Sequence, residues 1–97
     1  MAKFALLVRL EAKPGKEKAV ADFIKSALPL AQQEKFTIHW FALQLGPSTF
    51  GIFDSFDNEE GRNAHLGGQI AKALMKNAPD LLAKDPVIEK VDLLAVK

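Results

Sequence analysis

Phe36–Phe56 reads FTIHWFALQLGPSTFGIFDSF, and taking this stretch as a two-stranded hairpin decides the fold. Its first part, Phe36–Leu45, is dense in aromatic and β-branched residues, which pack well on a pleated surface. Gly46-Pro47-Ser48 supplies a turn. Thr49–Phe56 then alternates, with Phe50, Ile52, Asp54 and Phe56 on one face and Thr49, Gly51, Phe53 and Ser55 on the other. Together with Trp40, Phe41, Leu43 and Leu45, these residues put large apolar groups on both faces of the hairpin.

Toward the N-terminus, Phe4, Leu6, Val8, Leu10 and Ala12 alternate within Lys3–Lys13, the period-2 pattern of a strand. Pro14-Gly15 stops it, and Glu17 suits the positive end of a new helix. Ala19, Val20, Phe23, Ile24, Ala27 and Leu28 then form one helical stripe. Pro29 has no amide hydrogen and clashes with the carbonyl four residues back, so the helix must kink there or restart as a short turn through Gln33.

Toward the C-terminus, Asp57 or Asn58 caps a helix whose first turn holds Glu59 and Glu60, and Gly67-Gly68 breaks it. Gln69–Asn77 predicts a second helical segment with Ile70, Ala73 and Leu74 on one side. Pro79 is expected to start a last short turn carrying Leu81 and Leu82. Val87–Lys97 reads as a fourth strand. The order is βαββαβ, which makes the predicted fold α+β and ferredoxin-like: a single domain over 1–97, with helices on one face of a four-stranded antiparallel sheet. Two helical regions cover one sheet face only. The apolar second face therefore predicts a homodimer joined through it, with the closing strand a candidate to extend into the partner.

The totals narrow the function classes. Ninety-seven residues, 48% of them hydrophobic, suffice for one core. Thirteen basic and twelve acidic side chains leave a formal charge of +1, too little for the basic patch that binds nucleic acid. The absence of cysteine excludes disulfides, thiolate metal sites and a cysteine nucleophile, and suits a reducing compartment. The apolar run Phe4–Val8 is too short for a signal-peptide core and no apolar stretch reaches membrane-spanning length, so a cytoplasmic protein without a membrane partner is expected.

Chemistry concentrates in Asp57–Gly68, DNEEGRNAHLGG. On a helix begun at Asp57, Gly61, Ala64, His65 and Gly68 share a face, so His65 stands among small residues that leave space beside it. A histidine titrates near working pH and suits general base catalysis. The structural alternative is a ring that only fixes the helix on the sheet by bonding backbone or Asp54. Asp54 itself either orients His65 or pairs with a base such as Arg9. Trp40, Phe56, Ile70 and Leu74 offer apolar walls, although large aromatics more often serve burial. His39 points away from Trp40, toward a dimer interface or solvent, and Arg62 reads as a solvated helix charge.

Several of these features coincide with a known pattern. An acid on strand 3, an aromatic two residues on, an acidic helix start and then Ala-His are matched in order by Asp54, Phe56, Asp57 and Ala64-His65. The opening strand FALLVRLEAKPGKE and the hairpin TIHWFAL…STFGIFDSFDNEEG extend the match over nearly the whole chain. In these the sequence resembles the antibiotic biosynthesis monooxygenase family of the dimeric α+β barrel superfamily. It departs where the family usually carries glycine, at Phe36, and an aromatic hydroxyl, at Trp40; with no tyrosine in the chain, a mechanism using a phenol donor does not transfer. The resemblance implies oxidation of a small aromatic, phenolic or quinol substrate by molecular oxygen without flavin, haem or metal. It further implies His65 as the catalytic base and Trp40, Asp54, Phe56 and Leu74 as substrate-binding residues. A non-catalytic small-molecule-binding dimer and an isomerase of the same superfamily are the alternatives. The haem-degrading branch needs an asparagine on strand 1, which this chain lacks, and RNA-recognition motifs are absent from strands 1 and 3.

Overall fold

The hairpin forms as the alternation requires. In the computed structural model, which describes residues 3–97, β1 (Phe4–Glu11), β2 (His39–Gln44), β3 (Thr49–Phe56) and β4 (Val87–Asp92) make one sheet in the order β2-β3-β1-β4. All three pairings are antiparallel. The register sets both Trp40 and Leu6 beside Asp54, so these three side chains share a face. Helices α1 (Glu17–Ser26) and α2 (Leu28–Gln33) form the first crossover, and α3 (Glu59–Leu66) and α4 (Gln69–Leu81) the second. The result is the α+β ferredoxin-like arrangement expected from the order of elements. Among the described residues, no helix is long and apolar enough to cross a membrane.

Two strands are shorter than their composition predicts, for the same reason. β2 starts at His39, not Phe36, because His39 already faces Ser55 at the end of β3, and the Ile38 amide makes the last bond, 2.8 Å to the Ser55 carbonyl. β4 stops at Asp92, not Lys97, because Asp92 faces Phe4, where β1 begins; among the described residues the Leu93 amide alone reaches further, 2.8 Å to the Lys3 carbonyl. A strand lasts only as long as its neighbour supplies hydrogen-bond partners. Beyond that point Leu94 is 98% exposed.

The prolines separate differently. Pro29 lies in the first turn of a restarted helix, α2, where a missing amide hydrogen costs nothing. Pro79, expected to open a new turn, instead lies inside α4. The helical ladder resumes past it, the Leu82 amide donating to the Ala78 carbonyl at 2.8 Å. Leu74, Ala78 and Leu82 are buried in one cluster with Val8, Val20, Phe50 and Ile52, and burying that stripe offsets the one lost backbone bond.

A second, smaller cluster of Ala27, Ala31 and Ile70 lies under α2 and α4, and Trp40 packs against both. Among the described residues, the opposite sheet face has no such cover. There Phe41 is 50% exposed, and its ring stacks between His39 and Phe53 at centroid distances of 6.4 Å on either side. Arg62 corrects an expectation: it is a buried residue, not a solvated charge. Its guanidinium lies over the Phe4 ring at 5.1 Å and donates to the Val91 carbonyl at 3.3 Å, tying α3 to β1 and β4. Arg62 shares the inward side of α3 with His65, three residues on, which is why the long side chain runs across the sheet instead of into water.

Candidate functional site

Three elements bring one polar group each to the helical side of the sheet. β3 presents Asp54, which has no exposed surface. α3 presents His65; the Asn58 side chain caps this helix by accepting from the Gly61 amide at 2.8 Å. The end of α2 presents Glu34, its C-cap residue. His65 Nε2 lies 2.8 Å from Asp54 Oδ2 and Nδ1 lies 2.7 Å from Glu34 Oε1. The imidazole is thus bracketed by two carboxylates. Thr37 Oγ1 also donates to Glu34 Oε1 at 2.8 Å, and the Phe56 ring packs against the imidazole at 5.4 Å between centroids.

This arrangement settles the choice left open for Asp54. It faces His65, while Arg9 lies on the other side of the sheet, opposite Gly51. The Asp54 contact is short but off the line of an aligned hydrogen bond. Among the described residues, neither oxygen of Asp54 nor the buried Trp40 Nε1–H has an aligned partner. Trp40 is the cross-strand neighbour of Asp54, so an unmatched donor and an unmatched acceptor project from adjacent strand positions on one face, a condition that a protein interior rarely tolerates without purpose.

The electrostatics follow from burial and charge. Burial is the largest influence on His65 and pulls its pKa down, but Asp54 and then Glu34 together outweigh it, and the net shift is upward. Burial chiefly raises Asp54, with a smaller push from Glu34, against the stabilising contact of His65. An imidazolium carries its positive charge between the two carboxylates, Nδ1–H donating to Glu34 Oε1 and Nε2 in close but poorly aligned contact with Asp54 Oδ2, and with both carboxylates ionised the trio has a net charge of −1.

Of the three, Glu34 meets the outside. An open cavity of about 470 Å³ lies beside it, bordered also by Leu30, Phe36, Gly68 and Gln69. A Cβ placed on Gly68 would stand 3.2 Å from Glu34 Oε2, so the glycine leaves that oxygen approachable. His65, Asp54 and Phe56 lie behind Glu34. Trp40 borders a different groove of about 330 Å³ along β2, with Leu28, Phe41 and Leu43. Leu74 lies in the core cluster with its side chain committed to packing. The space expected beside Gly61 is occupied by Phe36, whose carbonyl oxygen and Cβ would lie 3.2 and 3.3 Å from an added Cβ.

The sequence therefore brings Asp54, Phe56 and His65 together, with Trp40 adjacent, and leaves Leu74 apart. Glu34 was not foreseen. Its only signal is being the lone carboxylate between Asp22 and Asp54. Among the described residues, no group of three or more His, Cys, Asp or Glu side chains is disposed to hold a metal ion.

Comparison with solved structures places the chain among proteins of the same architecture. It is 66% identical to a protein of unknown function from Nitrosomonas europaea, with a TM-score of 0.98, covering 100% of this chain and 94% of that one. A second Nitrosomonas europaea protein, described as a putative antibiotic biosynthesis monooxygenase, superposes with a TM-score of 0.83 at 15% identity over 95% of this chain and 99% of the other. One so described from Chloroflexus aurantiacus gives 0.74 at 16% identity, over 98% and 96%. No protein-family model matches the sequence, and no curated protein does.

Proposed function

Because the chain belongs to the same family as the Nitrosomonas europaea protein of unknown function and has the antibiotic biosynthesis monooxygenase-like fold, we propose that it oxidises a small phenolic or quinol substrate with molecular oxygen, as a homodimer. The observation that carries this reading is the chain of contacts from Asp54 through His65 to Glu34, which ends at a cavity with apolar walls. Such a chain is equipment for moving a proton. Leu30 and Phe36 offer apolar contact to a small aromatic molecule, and Gln33, Glu34, Lys35 and Gln69 offer polar groups to its hydroxyl.

Proton removal is what this oxidation needs from the protein. A phenol holds its electrons too tightly to reduce oxygen, whereas its anion gives up one electron readily. The phenoxyl radical and superoxide then combine at a ring carbon, and loss of water leaves a carbonyl. For a hydroquinone the reaction balances as one substrate and one dioxygen giving one hydroxyquinone and one water. One oxygen atom enters the ring, the other leaves as water, and all four electrons come from the substrate. No external reductant is required. His65 lies at the centre of the proton path, held in orientation by a carboxylate at each nitrogen.

Oxygen-electrode assays with a hydroquinone test the reading. The wild-type chain is expected to consume oxygen above the rate of autoxidation, and His65→Asn to lose on the order of a hundredfold of that rate. Oxygen uptake identical with and without the protein would sink the proposal, and unchanged uptake in His65→Asn would remove the trio from it. The engagement of both ring nitrogens favours one alternative: a binding protein in which the trio holds a ligand's hydroxyl without turnover. It predicts saturable binding and no oxygen consumption.

A further inference from the structure

We propose that Glu34 is the catalytic residue that meets the substrate, taking the hydroxyl proton of a small phenol at Oε2, and that His65 and Asp54 are positioning residues behind it. The choice of a phenol rests on the oxidation proposed above; the choice of atom rests on geometry.

His65 is ill placed to receive a proton directly. Its two nitrogens already lie 2.7 and 2.8 Å from carboxylate oxygens, which leaves no lone pair turned toward a ligand, and although the two side chains are similarly buried, 8% exposed for His65 and 11% for Glu34, only Glu34 borders the cavity. Glu34 divides its oxygens. Oε1 is engaged by His65 Nδ1 and Thr37 Oγ1. Oε2 lies on the side of Gly68, where the missing side chain opens the approach from the cavity. Leu30 and Phe36 border the same cavity and offer apolar contact to an aromatic ring, while Lys35 at its rim supplies a positive charge for a phenolate. In the transfer the phenol O–H bond breaks, its electron pair remains on the phenolate oxygen, and a new O–H bond forms at Oε2. The trio passes from a net charge of −1 to zero, and the imidazolium keeps Oε1 fixed throughout.

Gly68 makes the idea testable without touching a charge. Its backbone dihedrals, φ −86° and ψ −173°, are open to any residue, so Gly68→Ala adds a methyl group over Oε2 without a left-handed conformation, though that methyl also stands 3.3 Å from the His65 carbonyl oxygen and 3.4 Å from that of Ala64, and the turn into α4 must yield slightly. The probes are 4-nitrophenol, whose bound phenolate is read by absorbance, and 4-nitroanisole, which has no acidic hydrogen. Assayed at a pH where free 4-nitrophenol is fully protonated, wild type is expected to bind it as the phenolate and at least about tenfold more tightly than the anisole. Glu34→Gln should abolish both the phenolate signal and the preference. Gly68→Ala should weaken phenol binding with unchanged circular dichroism. His65→Asn, which releases Glu34 Oε1 from its anchor, should leave a weakened phenolate signal and move the pH at which it appears.

The proposal falls if wild type fails to distinguish the probes, if Glu34→Gln keeps the phenolate, or if His65→Asn alone abolishes it. Oxygen uptake from a hydroquinone separates this outcome from the reading it rests on. Phenolate formation that depends on Glu34 without oxygen consumption keeps the assignment and rejects the oxygenase. Oxygen consumption indifferent to Glu34→Gln does the reverse.

Discussion

At the residue scale, His65 shows how one side chain was readable while its surroundings were not. The Ala64-His65 pair after a capped helix start marked the ring, and the parity of β3 put Asp54 on the helical face. Glu34 escaped because it lies 31 residues away in sequence, at the end of a short proline-started helix whose direction no local pattern fixes. The trio has a consequence for stability against pH. His65 has a folded-state pKa above its ordinary 6.5, so the folded chain holds that proton more tightly than the unfolded chain. Its contribution is complete below about 6.5 and is lost as pH rises through the raised folded value. Asp54, also raised, acts in the same sense at lower pH: its buried charge costs stability once it ionises, and the cost is relieved as pH falls through its own raised value. The urea midpoint should therefore decline on the alkaline side of 6.5 in wild type and flatten there in His65→Asn. Superimposable midpoint profiles for the two proteins would show that the ring does not titrate with folding.

At the scale of elements, alternation located the four strands, the apolar stripe located α1 and the cap located α3, while Pro29 left α2 open between a kink and a restart, and the remaining errors lie at element ends. Strand ends depend on partners elsewhere in the chain: β2 and β4 stop where β3 and β1 run out, and no property of residues 36–38 or 93–97 announces it. Pro79 was misplaced because local propensity competes with the burial of Leu74, Ala78 and Leu82, a tertiary effect. α3 depends on its cap. Asn58→Ala removes the acceptor for the Gly61 amide and should cost about 1 kcal/mol in urea unfolding, with a faster exchange of the α3 amides. An unchanged midpoint would mean that Arg62 and the trio, not the cap, hold this helix.

At the scale of the molecule, the sheet has one covered and one uncovered face, a conclusion available from counting helices against apolar side chains. The row of His39, Phe41 and Phe53 with an exposed Phe41 supports association of two chains through this face. Sedimentation should give twice the chain mass at micromolar concentration, and Phe41→Asp should give one chain mass with native circular dichroism. A wild-type value of one chain mass would reject the dimer. Finally, the bracketed imidazole bears on how such a chain changes over generations. Three apolar residues would fill the same space at no loss, and often with a gain, of about 1–4 kcal/mol, whereas removing one partner of a buried ion pair costs about 3–5 kcal/mol. A lineage abandoning the chemistry must therefore cross a less stable intermediate before reaching an apolar replacement. Replacing Glu34, Asp54 or His65 alone is therefore expected to destabilise the chain more than replacing all three by apolar residues, and urea unfolding of the single and triple variants would read the difference.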